Sequence, residues 1–171
     1  DDVCERLAEA FVEHFWLPCP GLLADATNQL TVDASVRPNQ LLAVSLPKSP
    51  LPGTIARRVF EAVKAYDLVT PYGLRTLTPE DVRYQPACQG AQFIRELAYH
   101  QGSIWPWLLA HYADAAFRVL GPGPKVADLC APAVEALTQH IHEAGLGGVS
   151  EIFDGDPPHA PRGAICQAWN V

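Results

Sequence analysis

At 171 residues, 49% hydrophobic and 18% charged, the chain is long enough to bury roughly 68–70% of the surface its unfolded form exposes, as one domain or part of one. A net charge of −7 with no basic cluster excludes nucleic acid and anionic membranes as partners, and leaves neutral ligands open. Five cysteines (Cys4, Cys19, Cys88, Cys130, Cys166) stand at wide, irregular spacing without a C-x-x-C pair, which fits reduced thiols in the cytoplasm and argues against zinc.

No apolar run approaches the ~18 residues of a membrane span, and no signal-peptide pattern opens the chain. Methionine is absent altogether, which reads as a fragment or a processed chain. In chain order, Val3, Leu7, Ala10, Phe11 and Phe15 recur at helical spacing with Glu5, Arg6, Glu9 and Glu13 opposite. This predicts an amphipathic helix over residues 1–17, stopped by Pro18 and Pro20. A loop of about twenty residues follows, long against the usual ~4–6, and long loops in compact domains tend to be functional. It ends at Arg37, Pro38, Asn39 and Gln40, where Pro38 suits the first turn of a short, nearly all-apolar helix, 41–46.

A second amphipathic helix is predicted over 54–67, with Thr54 as N-cap and Ile55, Val59, Phe60, Val63 and Tyr66 on its apolar side. Residues 68–102 show no sustained period, and a structureless connection of that length is expected only where it builds a site. Ser103 is placed to cap an apolar helix from Trp105 and Pro106 to Leu120. Residues 125–144 predict a third amphipathic helix, ended by Gly145, and 164–171 read as the first turns of another apolar one. Between them, Ser150, Glu151, Ile152, Phe153, Asp154, Gly155 and Asp156 set three carboxylates on a loop stiffened by Pro157 and Pro158. Such a stretch is either a solvated acidic turn or a loop that aims a carboxylate into a cleft.

Amphipathic helices thus alternate with apolar ones, and long connections with short. The expected fold is all-α: about half of an (α/α)6 toroid, with polar-faced helices outside, apolar helices inside, and every long loop on one rim.

Five segments on that inferred rim carry a resemblance. Arg37-Pro38-Asn39-Gln40, residues 70–77 (TPYGLRTL), 99–107 (YHQGSIWPW), 150–156 (SEIFDGD) and Gln167-Ala168-Trp169 follow one another as similar segments do in glycogen debranching enzymes of the amylo-α-1,6-glucosidase type. The resemblance implies a cytoplasmic glycoside hydrolase acting on α-1,6-linked glucose at the branch stubs of glycogen, limit dextrin or another branched α-glucan, with no cofactor and no metal. It puts Glu151 in the place of the general base of an inverting enzyme. The acid, an Asp in the family, has no matching motif here and is assigned to an N-terminal half of the domain that this chain lacks. On that reading the isolated chain is inactive.

The same resemblance suggests sugar contacts for Arg37, Asn39, Tyr72, Arg75, Tyr99, His100, Gln101, Trp105 and Trp169. Each has a plainer reading as well. Arg37 and Arg75 either brace loops through backbone carbonyls, or they bind sugar hydroxyls or hold Glu151 ionised. Trp105 and Trp107 begin an apolar helix and either fill core or stack on a glucose ring; Trp105 is placed nearer the rim and Trp107 in the packing. His100 is either a structural histidine or a hydroxyl partner. Asp154 and Asp156 lack the further ligands of a calcium loop and are read as scaffold. His140 and His142, two apart on a helix, cannot face one ligand and are read as surface residues. The alternatives in function are a non-catalytic helical glucan-binding or structural module, and a sister toroidal hydrolase of the trehalase or glucoamylase kind.

Overall fold

The computed structural model describes residues 2–28 and 30–170; Asp1, Gln29 and Val171, the first and last of which end predicted helices, lie outside them. Five helices form where the apolar period puts them: α1 (Asp2–Phe15), α2 (Gln40–Ser45), α3 (Gly53–Ala65), α5 (Leu108–Leu120) and α6 (Pro124–Glu143). A sixth, α4 (Gln92–His100), lies inside the stretch read as structureless. The core forms where α2, α3 and α5 pack on one another, with α6 against α5. Leu41 and Val44 of α2, Val59, Phe60 and Val63 of α3, and Ala115 and Ala116 of α5 are buried there, and Phe60 stacks on Tyr112 at 5.4 Å. Burying side chains of this size stabilises by about 1.5–3 kcal/mol each before ordering costs. The outer helices contribute less: α1 buries no residue fully and reaches the core through Phe11 and Phe15, which stack at 4.8 Å.

Local signals at helix starts were less informative than the period. Pro52 precedes α3, so Thr54 lies inside the helix and does not cap it. The helix expected from Trp105 begins at Leu108 instead, and Ser103 is fully buried in the chain leading to a strand. Where residues 164–171 suggested an apolar helix, a single 3₁₀ turn forms over Ala168–Asn170.

The expectation of an all-α half toroid is overturned by the three antiparallel sheets found among the described residues. Two are hairpins: β1 (Trp16–Leu17) on β2 (Leu22–Leu23), and β3 (Ala26–Thr27) on β4 (Val32–Asp33). The third has five strands in chain order: β5 (Val69–Thr70), β6 (Gly73–Arg75), β7 (Ile104–Trp105), β8 (Ile152–Phe153) and β9 (Pro161–Arg162). Pairings Leu74↔Trp105, Ile104↔Phe153 and Phe153↔Pro161 run across it. Stretches read as free loops therefore satisfy their backbone groups against one another, as buried backbone must. The β5–β6 turn is locked by Thr70, whose hydroxyl donates to the Gly73 carbonyl at 2.8 Å. Gly73 is needed for closeness: a Cβ there would fall 2.5 Å from the Trp105 carbonyl oxygen and 2.8 Å from the Pro106 nitrogen, against the strand that follows. Among the described residues, no helix is long and apolar enough to cross a membrane.

Candidate active site

The sheet gathers the motifs. Residues 70–77 form β5–β6, 99–107 run from the end of α4 through β7, and 150–156 contain β8. Glu151 is half-buried immediately before β8, on a backbone held from two sides. Its N–H donates to the Ala164 carbonyl at 2.9 Å, and the Asn170 amide donates to the carbonyls of Ser150 and Glu151 at 2.8 and 3.2 Å. Both carboxylate oxygens are engaged. The Tyr99 hydroxyl donates to Oε1 at 2.5 Å, and the Ala164 N–H donates to Oε2 at 2.8 Å. Burial alone would raise the pKa of this carboxyl, but hydrogen bonds from Tyr99, Ala164 and Gln167 outweigh it, and the pKa is held below the usual value. No arginine contributes, so the neutralising role considered for Arg37 and Arg75 falls to uncharged donors.

Aromatic side chains cluster around Tyr99, the residue that contacts this carboxylate. Trp105 donates its indole N–H to the Tyr99 carbonyl at 3.0 Å and meets the Tyr99 ring edge-on at 4.9 Å. Trp169, 46% exposed, lies parallel to Trp105 with ring centres 6.0 Å apart. A pyranose between two flat faces needs about 7–8 Å at ordinary carbon contact distances. A sugar would therefore stack on the outer face of the pair and not between its members. Trp107 packs against the main core and meets His111 edge-on at 5.6 Å, further from Glu151 in the aromatic chain. His100 is exposed, its ring touching Tyr99 and Trp105.

Beside Glu151 opens a cavity of about 600 Å³, lined by Gln92, Glu96, Tyr99 and His100 of α4 and by Arg162 and Gly163 of the β9 segment. Its size falls within the usual range for small-molecule sites, ~300–1,000 Å³. Gln92, Glu96 and Arg162 were not singled out from the sequence. The available signal was spacing, since Gln92, Glu96, Tyr99 and His100 repeat at three and four residues and so share one helical face.

The remaining predicted residues sit further out. Arg37 donates to the carbonyls of Thr76 and His100 at 2.9 and 2.5 Å and to the Gln101 side-chain oxygen at 2.7 Å, and pairs with Asp25 at 3.3 Å. Asn39 donates to the other Asp25 oxygen at 2.7 Å. Arg37, Asn39, Gln101 and Asp25 thus form one network that clamps the end of α4. Arg75 is buried, donating to the Gly155 carbonyl at 2.9 Å and the Asp67 carbonyl at 2.5 Å while pairing with the Asp67 carboxylate at 3.1 Å. Both arginines brace backbone. Tyr72, on the β5–β6 turn, stacks on buried Phe153 at 4.7 Å and tilts against His159.

The two aspartates of the acidic stretch are held by protein groups. Asp154 accepts the Cys88 N–H at 2.9 Å and two Arg162 donors at 2.7 and 3.0 Å; Asp156 accepts the Tyr84 hydroxyl at 2.9 Å. Contrary to the surface reading, His140 is 5% exposed, accepts the Ser150 N–H on Nε2 at 3.1 Å and meets Phe153 edge-on at 4.8 Å, whereas His142 is exposed.

No curated protein matches the chain significantly. A family model described as amylo-alpha-1,6-glucosidase matches residues 1–171, end to end. The match covers all five motifs that carried the resemblance; the sheet joins three of them, and Trp169 of a fourth stacks on Trp105 of β7. The chain therefore belongs to the amylo-alpha-1,6-glucosidase family of glycoside hydrolases and corresponds to a C-terminal region of glycogen debranching enzyme.

Proposed function

We propose that Glu151 is the general base of an inverting glucosidase that releases glucose from α-1,6 branch points of glycogen or a related α-glucan. The observation that carries this reading is a carboxylate held by hydrogen bonds on both oxygens, beside a sugar-sized cavity and a stacked tryptophan pair whose outer member, Trp169, is exposed. A base must be ionised to take a proton, and the donors from Tyr99 and Ala164 favour that form. They use one lone-pair direction on each oxygen, and an ionised carboxylate has about four, so room remains to accept from water. That water attacks the anomeric carbon, Glu151 takes its proton, and the C–O bond to the leaving sugar breaks as a second carboxyl group protonates the departing oxygen. In an inverting site the two carboxyl groups stand ~6.5–9.5 Å apart, leaving space for the water.

The acid is assigned, within this proposal, to a segment outside residues 1–171. Asp154 is a poor candidate because its two carboxylate oxygens are already taken up by the Cys88 N–H and by Arg162. Trp105 and Trp169 supply the flat face for glucose, and His100 a hydroxyl partner at the cavity wall. The five cysteines are all free thiols, which supports a reducing compartment such as the cytoplasm.

Glu151→Gln in the full-length protein tests the assignment, with glucose release from an α-1,6-branched dextrin as the readout. We expect kcat to fall by about 10²–10⁴-fold with KM little changed, as for loss of a general base. A near-normal kcat would remove Glu151 from the mechanism.

A further inference from the structure

The phenol of Tyr99 is already engaged. Its hydroxyl faces the Glu151 carboxylate and not open solvent, which conflicts with a role in binding sugar hydroxyls. Resting on the reading of Glu151 as the base, we propose that Tyr99 is a positioning residue that fixes the direction of that carboxylate and leaves sugar binding to its neighbours.

Three features of the geometry support this. The tyrosine itself is immobilised: its carbonyl accepts the Trp105 indole N–H, and its ring is flanked edge-on by His100 at 5.0 Å and Trp105 at 4.9 Å. The residues it links belong to elements already bound together, since Trp105 lies in β7 and Ile104 of β7 pairs with Phe153 of β8, two residues beyond Glu151. Finally, the carboxylate is gripped from opposite ends, by α4 through Tyr99 on Oε1 and by the β9 segment through the Ala164 N–H on Oε2. Two fixed points on two oxygens define the carboxylate plane, so the lone pairs that remain have one direction. Without Tyr99 the carboxylate loses its donor on Oε1 and regains torsional freedom, and misplacement by about 1 Å can cost on the order of 10²-fold in rate.

The same contact acts on proton affinity. After burial, which raises the Glu151 pKa, the Tyr99 hydrogen bond is the largest influence and lowers it; Ala164 and Gln167 follow. Burial and the adjacent carboxylate push the Tyr99 pKa well above its usual range, so the phenol stays a donor throughout the working pH. Other ionisable groups nearby are occupied or add nothing to Glu151. Arg162 on β9 is paired with Asp154, Arg95 on α4 donates to the Gly90 carbonyl, Glu96 accepts from Gln92, Cys88 donates to the Arg95 carbonyl, and among the described residues no charged group contributes to the shift.

The test is the pH dependence of kcat and kcat/KM for Tyr99→Phe and wild type in the full-length protein, on an α-1,6-branched dextrin. Activity that needs ionised Glu151 is lost as pH falls through its pKa, and removing the donor raises that pKa. We expect the acid limb to move up by roughly one pH unit, the worth of a hydrogen bond to a charged group, and kcat to fall about tenfold with KM within about twofold. A raised KM with an unmoved limb would make Tyr99 a sugar ligand, and no change in either would make it a bystander; both overturn the proposal. Where Tyr99→Phe does not fold, 3-fluorotyrosine at position 99 is the second probe: a stronger donor, it must move the limb down, and an unmoved limb overturns the proposal. Glu151→Gln run in parallel separates the two claims. An inactive Glu151→Gln with an unmoved limb in Tyr99→Phe defeats the positioning role alone, whereas an active Glu151→Gln defeats the base and the positioning role with it.

Discussion

Gly163 shows how little freedom the candidate base has. Its φ is +69°, in the left-handed region, and a Cβ on it would lie 2.5 Å from Glu151 Oε2. An alanine there carries two costs of different kinds. The backbone strain is about 1–2 kcal/mol, which lowers Tm by a few degrees in a domain of this size. The clash displaces the carboxylate from the Ala164 N–H, and displacement is what a catalytic group tolerates least. Gly163→Ala is accordingly expected to reduce kcat on branched dextrin by on the order of 10²-fold while the protein remains folded by circular dichroism. Unchanged kcat in a folded variant would show that the carboxylate does not need this seat. Gly163 lies outside all five motifs and is not legible in the sequence; it matters because β9 brings it against Glu151, and that pairing has no local signature. Glu151 itself was legible, because its neighbours repeat a family pattern. Most of the residues named around it were legible as important but not as to task. In the sequence Arg37 and Arg75 are open between bracing and binding, and only the fold shows that backbone carbonyls take up their donors.

Among elements, the helices were readable and the sheet was not, for a reason of length. A helix such as α3 repeats its apolar face over thirteen residues, long enough for a period to stand out. Each strand of the large sheet has two or three residues, too short to display alternation, and β6, β7 and β8 come from distant parts of the chain. Helix α4 was missed although Phe93, Ile94, Leu97 and Ala98 follow a helical repeat. It spans nine residues, and Phe93 and Leu97 remain 62% and 47% exposed, so its signal is short and its burial slight. Element contacts also set a pH response. His140, on α6, accepts the Ser150 N–H one residue before Glu151, and burial depresses its pKa. A histidine neutral when folded and protonated more readily when unfolded confers stability above the unfolded pKa, ~6.5. That stability is lost as pH falls below this value toward the folded pKa. Tm should therefore drop between pH 7.5 and 5.5, and drop less in His140→Gln, whose amide oxygen can still accept but cannot titrate over this range. Equal slopes in the two proteins would rule out His140 as the sensor.

On the scale of the whole molecule, α2, α3 and α5 form a helical core, and a thin sheet along one side joins segments that are up to about ninety residues apart along the chain. That sheet replaces the ring of loops expected from helix alternation. It also explains how sequence-distant motifs can serve one carboxylate: β7 and β9 flank β8, carrying Trp105 and the Gly163–Ala164 wall to either side of Glu151. In the proposed mechanism this carboxylate activates the water that attacks an α-glucosyl carbon from the opposite face. NMR of the product formed on an α-1,6-branched dextrin by the full-length protein, wild type and Glu151→Ala with sodium azide, decides the matter. Azide needs no base, fits the space left by the side chain, and attacks where the water did. Wild type is expected to release β-glucose first, and azide to restore turnover in the variant as β-glucosyl azide. α-Glucose released first by wild type, or no restoration in a folded variant, removes Glu151 as the base of an inverting site.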